Sequence, residues 1–177
     1  MAYTLEQFCD QSRSLLKSQP IDAALAQMGE QLRRLLSDLE FVAKTFSEST
    51  PPGRFEIHNE PGLYIFGEVK APNSVNNPHD HGSTWVIYGN AKNVAQITEW
   101  RRINSASQPH AELMATGKYS LGEGETRLSQ PYAIHSTANV EKTWLVRVSA
   151  VDVETLQRYK WGKNDRIIER GKVPEPA

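Results

Sequence analysis

The chain has 177 residues, 38% of them apolar and 23% charged, with a formal net charge of −1. That is enough for one domain with a full core and short for two, and the even charge balance gives no attraction for nucleic acid or an anionic membrane. No apolar run reaches the ~20 residues of a membrane span. The opening MAYTLEQFCDQSR does not read as a signal peptide, and the single cysteine, Cys9, excludes an internal disulfide, so the expected home is the reducing cytoplasm.

Up to about residue 46 the apolar spacing is helical. Leu5, Phe8, Cys9, Leu15 and Leu16 follow a 3.6-residue period, with Thr4 and Gln7 placed as a capping box. Pro20 interrupts, Asp22 is placed as an N-cap, and a second helix carries Ile21, Leu25, Met28, Leu32, Leu35 and Leu36 on one stripe. Leu39 to Phe46 reads as a third helix, and SESTPPG (47–53) breaks the pattern. Short β runs follow, at 54–58, 62–70, 83–89, 93–103, 111–121, 132–136 and 142–151, divided by Gly, Pro and Asn. Such spacing predicts an all-β sandwich or barrel. Asp152 is placed to cap a short helix carrying Val153, Leu156 and Tyr159. RIIER reads as a last strand and GKVPEPA as a frayed tail. The expected organisation is one domain: a helical segment over 1–50 packed on a barrel over 51–170, then a tail over 171–177.

The candidates for chemistry are the five histidines, His58, His79, His81, His110 and His135. In PHDHGSTWVIYG, His79 and His81 open a predicted strand, and residues two apart on a strand share a face. Pro78 limits how that strand begins. His135 opens another strand in PYAIHSTAN. A pair from one strand and a third histidine from a distant one is a way for a barrel to build a three-imidazole site. Neutral imidazole suits Fe, Cu, Ni and Zn, and three protein ligands leave coordination positions open for catalysis. The alternative is a chance pair, since a histidine taken alone is more often a surface or hydrogen-bonded core residue.

PHDHGSTWVIYGN resembles the first motif of the cupins, a double-stranded β-helix superfamily. PYAIHSTAN, with Pro131, His135 and Asn139, resembles the second. The resemblance covers about residues 50–150 and is greatest to the cysteine dioxygenase-like branch of thiol dioxygenases, which also carries an N-terminal helical region. It implies a mainly β chain, a single jelly-roll barrel with N-terminal helices. It also implies that His79, His81 and His135 ligate a metal, ferrous iron first, with Ni, Zn, Mn or Cu as alternatives. Other cupins place a glutamate ligand shortly after the second histidine, where this chain has Trp85 and Val86. On strand alternation Ser83, Trp85 and Ile87 share the histidines' face, so Trp85 is expected in the pocket wall, with plain barrel core as the alternative.

Three neutral imidazoles leave a divalent metal its full charge, so such a site attracts an anionic, chelating substrate such as a thiolate or an enolate. Two histidines and a carboxylate would already have spent one negative charge. Thiol dioxygenases carry a Ser-x-His-x-Tyr run after the third histidine. Here the comparable stretch is WLVRVSAVD, with Arg147 near the place of the His and Ser149 near that of the Tyr. A hydroxyl would then come from Tyr88, Tyr119 or Tyr132. Arg147 offers a bidentate fork for a substrate carboxylate if the face it shares with Leu145 and Ser149 is the barrel interior, where a buried arginine needs an anion. On the exterior it is an ordinary solvated charge. Asp80 points away from the metal and would hold a ligand from behind or pair with a neighbouring strand. Glu99 is a fourth ligand or, more simply, a solvated strand charge.

The expected function is a ferrous-iron dioxygenase that oxidises a small chelating acid, such as a thiol acid, with O2. The rivals are a three-His cupin that cleaves or isomerises a diketone or another carbon acid, and a non-enzymatic metal-holding binding protein. Expected partners are the small substrate and O2, with no nucleic acid and no membrane. A homodimer is a further option, because the leucine stripe of the second helix serves either the core or a dimer.

Overall fold

The structure, a computed structural model, describes residues 3–162 and the backbone of 166–168. Helix α1 spans Leu5–Ser18, and its capping box forms: Gln7 N–H donates to Thr4 Oγ1 at 3.2 Å and Thr4 N–H to Gln7 Oε1 at 3.0 Å. Helix α2 spans Ile21–Leu36. Its N-cap is Pro20, without a side-chain cap bond, and Asp22 stands in the first turn instead. The fixed backbone of proline already sets the helix entry, and an acid in the first turn still favours the helix dipole. Helix α3 spans Leu39–Thr45, capped by Asp38, whose Oδ1 accepts from Glu40 N and Phe41 N.

The strands are β1 (Gly53–Glu60), β2 (Leu63–Lys70), β3 (Ser74–Val75), β4 (Val86–Lys92), β5 (Ala95–Arg102), β6 (Glu112–Leu121), β7 (Thr126–Ser129), β8 (Ile134–Asn139), β9 (Thr143–Ser149) and β10 (Arg166–Ile168). They form two five-stranded sheets, β1-β2-β9-β4-β7 and β10-β6-β5-β8-β3. Every pairing is antiparallel except β10 with β6. Pairs β5–β6, β4–β7, β3–β8 and β2–β9 nest inside one another, as if a single long hairpin had been wound into a barrel. The lateral pairs β4–β9 and β5–β8 close each sheet. This winding is the double-stranded β-helix, or jelly roll, so the chain is a mainly β jelly-roll barrel with N-terminal helices.

Alternation decides which side chains see the interior. On β9, Trp144, Val146 and Val148 join the cluster that contains the helices, while Leu145 joins the barrel interior with Val86, Tyr88 and Ile97. Arg147, two residues on from Leu145, therefore faces inward, and it is 5% exposed. The outer face of this sheet is covered by α2, whose Leu25, Met28, Leu32, Leu35 and Leu36 are all buried. At ~1.5–3 kcal/mol for each fully buried large apolar side chain, this stripe is core. Ile21, at the helix start, is 50% exposed and lies off the contact. The helix lies directly on the strand backbone: a Cβ at Gly89 would stand 2.6 Å from Leu36 Cδ1 and 2.9 Å from Leu32 Cδ2. No helix among the described residues is long and apolar enough to cross a membrane.

Several local expectations change. The stretch read as a strand over 83–89 begins as a turn, and β4 starts only at Val86. Strands β3 and β7, of two and four residues, lie in segments too short to show a period. Asp152 does cap, its Oδ1 accepting from Glu154 N, but the helix is only a 3-10 turn over Val153–Thr155. Leu156 and Tyr159 lie beyond it, in an extended strap. Of the RIIER segment, Arg166–Ile168 form β10; its last two residues and the GKVPEPA tail lie outside the described residues.

Candidate metal centre

Asn76 to His81 runs beside β8 as a broken continuation of β3. Ser74 pairs with Asn139 and Val75 with Ala138, but His79 pairs with His135, a register slip at Asn77–Pro78. Pro78 has no N–H to contribute to a ladder. His79 and His135 exchange both backbone hydrogen bonds, each 2.9 Å, so they sit directly opposite with side chains on one face. On the other side the strap 157–162 completes the pairing. Asp80 N–H donates to Tyr159 C=O at 3.1 Å, and Trp161 N–H to Pro78 C=O at 2.9 Å. His79 is thus held between two neighbours although no regular strand runs through it.

The three rings converge. Ring centroids are 4.6 Å apart for His79–His135, 4.9 Å for His81–His135 and 5.3 Å for His79–His81. One ring nitrogen from each lies within 4.8 Å of the others, and among the described residues no other group of three His, Cys, Asp or Glu side chains does this. His79 Nδ1 donates to Asn77 C=O at 2.9 Å, and His135 Nδ1 to Ala133 C=O over a longer 3.4 Å. A carbonyl only accepts, so each of these rings keeps its Nε2 unprotonated. His81 Nδ1 is buried with no hydrogen-bond partner. Burial lowers the pKa of all three rings, with neighbouring charges adding to the effect. His135 is pushed down to about 3, His79 is lowered, and His81 falls well below the ordinary histidine range. Three neutral imidazoles with lone pairs to offer fit a divalent transition metal.

Asp80 sits behind the histidines, 3% exposed. Its Oδ1 accepts from Gly82 N at 3.0 Å and from Tyr159 N at 3.1 Å, tying the histidine segment to the strap. Gly82 has φ +65°, and a Cβ there would meet Gln157 C=O at 2.6 Å. This left-handed turn, continued through Ser83 and Thr84, interrupts strand alternation. Its result corrects the expected face of Trp85. Trp85 and Ile87 pack in the helix-side cluster, whereas Val86 and Tyr88 face the barrel interior.

Tyr88 reaches the centre. Its hydroxyl lies 2.5 Å from His81 Nε2 and 3.3 Å from His135 Nε2. Burial pushes its pKa up to about 12, so it stays a phenol. Arg147 lines the same cavity, and its Nε and Nη2 have no hydrogen-bond partner among the described residues. Ser149 is fully buried on the same strand, but its hydroxyl donates to Val151 C=O and it does not line the cavity. Glu99 pairs with His135 only through the backbone; its carboxylate binds Arg127 at 2.9 Å. His110 lies exposed in a loop, and His58 lies near Glu60 on β1.

The cavity in front of the histidines is about 460 Å³ and is polar. Beyond the residues expected from sequence, it is lined by Glu68, Lys70, Glu154, Arg158 and Lys160. Glu68 binds Lys70 at 2.6 Å. Burial alone would raise the Glu68 pKa, but Lys70 and Arg147 outweigh it and hold the carboxyl below its usual range. Glu154 binds Arg158 and, at 3.3 Å, Arg54. Among the described residues, four cations therefore face two carboxylates, both already engaged, and Arg147 has no ion pair with a carboxylate. Glu68 and Lys70 had a signal: they alternate on a predicted strand with Tyr64 and Phe66. Arg158 and Lys160 had none, because the strap that carries them forms by tertiary pairing alone.

No family model and no curated protein sequence matches this chain. Solved structures do resemble it. A conserved protein with a double-stranded β-helix domain from Klebsiella pneumoniae is 15% identical, with a TM-score of 0.47 over 69% of this chain and 89% of that one. KdgF from a Halomonas species is 14% identical (TM-score 0.45, 58% of this chain, 82% of that one). The DMSP lyase DddQ from Ruegeria pomeroyi is 11% identical (TM-score 0.44, 61% of this chain, 50% of that one). These are likenesses of fold.

Proposed function

We propose that the chain is a metal-dependent dioxygenase of a small anionic, chelating substrate, with ferrous iron at His79, His81 and His135 and O2 as co-substrate. The observation that carries this reading is the pairing of three neutral imidazoles with an inward, buried Arg147 that has no ion pair among the described residues. A ferrous ion held by neutral ligands keeps open positions and supplies the one-electron chemistry that O2 requires. The protein's part is placement. The guanidinium fork of Arg147 holds a substrate carboxylate and so orients the adjacent donor atom towards the histidines. The Tyr88 phenol donates a hydrogen bond to whichever oxygen develops negative charge beside His81 and His135. Leu145, on the same inward face of β9 as Arg147, presents an apolar wall to the cavity. In an oxygen electrode, the iron-loaded protein consumes O2 with a small thiol acid or hydroxy acid, and Arg147→Met raises KM. No uptake with any chelating acid tried on stoichiometrically loaded protein would rule the dioxygenase out.

One observation favours a second reading. The Tyr88 hydroxyl stands beside two of the imidazole nitrogens, where, with a Lewis-acid metal on the three histidines, it would donate a hydrogen bond to the enolate oxygen of a carbon acid in a lyase or isomerase. That enzyme would turn over without O2.

A further inference from the structure

A second cavity, of about 300 Å³, lies on the far side of Tyr88 and His135. Tyr88, His135, Thr137 and Leu145 line both cavities, so a ligand seated at the histidines borders on each. The two differ in chemistry. The first is polar and holds Lys70, Arg147, Arg158 and Lys160. The second is walled mainly by Ile97, Trp100, Tyr119, Leu121 and Ile134, and its single ion pair is Glu99–Arg127, with the Arg127 guanidinium over the Tyr119 ring at 4.4 Å. Those two charges satisfy each other, so this chamber offers a ligand apolar and aromatic surface.

We infer that the substrate is an amphipathic acid: a carboxylate held by Arg147, a chelating donor at the histidines, and an aromatic or branched apolar group of about one ring seated against Trp100 and Tyr119. This inference rests on the anion-site reading above and adds the substituent. The size is sufficient, since a dry apolar cavity of about 150 Å³ already takes benzene. The wall residues are the kind that bind aryl groups by burial and edge contacts. A substrate of the anionic head alone would leave this aromatic surface uncovered beside the reacting atoms.

The test uses zinc-loaded protein, which binds without turnover, and two probes that differ only in the ring, pyruvate and 3-phenylpyruvate, by titration calorimetry. The phenyl probe is expected to bind at least about tenfold more tightly, from burial of the ring alone. Ile134→Trp, at a half-buried wall position, is expected to remove that advantage while leaving pyruvate affinity unchanged. Ala95→Leu, which fills the chamber from β5, does the same if Ile134→Trp does not fold. Benzyl alcohol, which has no anion, separates the two readings. It is expected to bind wild type and Arg147→Met alike and to lose affinity in Ile134→Trp. Equal affinity for pyruvate and phenylpyruvate, together with no benzyl alcohol binding, would overturn the apolar chamber and leave the anion site standing. Benzyl alcohol binding with neither acid bound would overturn the anion-site reading and with it the amphipathic substrate.

Discussion

Asp80 is the residue on which the shape of the centre most depends, although it touches no ligand nitrogen. Asp80→Ala removes the acceptor of two backbone donors, Gly82 N–H at 3.0 Å and Tyr159 N–H at 3.1 Å. Gly82 is buried, so its orphaned amide costs ~1–3 kcal/mol. Tyr159 is 56% exposed, so water can partly replace the carboxylate there, and ~0.5–1.5 kcal/mol is lost. The sum is ~2–4 kcal/mol, felt first as loosening of the histidine segment from the strap. Metal affinity is expected to fall ~10–100-fold, the usual effect of removing a group that orients ligands. Asp80→Asn keeps an acceptor oxygen without the charge and should recover about half the loss. Urea unfolding of the metal-free variants and zinc competition against a chromophoric chelator measure both quantities. If Asp80→Ala unfolded within ~0.5 kcal/mol of wild type and bound zinc equally well, the bridging role would be wrong. If Asn behaved like Ala, the charge and not the acceptor geometry would be what matters.

Gly82→Ala forces a side chain onto φ +65° and against Gln157 C=O at 2.6 Å; a loss of ~2–3 kcal/mol is expected, with weakened zinc binding. Gly124→Ala, at φ +75° in open space, is the control: it should lose only ~1–2 kcal/mol and keep zinc affinity in the same competition assay. Arg147→Met should stabilise the metal-free, ligand-free protein by ~1–3 kcal/mol, because it removes a buried charge with two unpartnered nitrogens, yet weaken pyruvate binding to the zinc form by at least tenfold; a destabilised variant in urea would show that Arg147 is already paired. His81 and His135, held neutral in the fold against an ordinary value of 6.5, make the unfolded state the better proton binder in acid. Their contribution to stability is complete above about pH 6.5 and is lost as the pH falls towards the His135 pKa of about 3. Between about pH 7.5 and 5.5 the metal-free protein should lose ~3 kcal/mol, ~1.4 kcal/mol from each ring, and unfolding curves that do not change over that range would contradict the buried, neutral centre.

Much of this fold is legible before any coordinates. The stripe from Leu25 to Leu36 marks α2 because one helix face is buried and the other is not. The alternation in WLVRVSAV marks β9 because its even and odd residues meet different cores. The alternation also puts Arg147 on one face with Leu145, but it leaves open which face is the interior; the packing of Leu145 in the barrel core decides that. The proximity of His135 to His79 and His81 is less direct. It depends on β8 lying beside the β3–β4 connection, which follows from jelly-roll winding rather than from any local pattern. Trp85 departs from simple alternation for one reason: the left-handed turn at Gly82 resets the parity and puts Tyr88 in the centre instead. Val153, Leu156 and Tyr159 read as a short helix capped by Asp152, but Leu156 and Tyr159 lie in the strap. Its backbone bonds to Asp80 and Pro78 outweigh that local preference, and nothing in the sequence near it announces partners so far away.

Whether the three histidines hold one metal ion is open to direct measurement. Protein produced without an affinity tag, stripped and then reloaded anaerobically with ferrous iron, should retain one equivalent of iron per chain by elemental analysis, and His135→Ala should retain essentially none under the same washing. A wild-type protein that retains no iron, and no zinc in its place, would contradict the three-histidine centre, as would a His135→Ala variant that binds the metal as tightly as the parent.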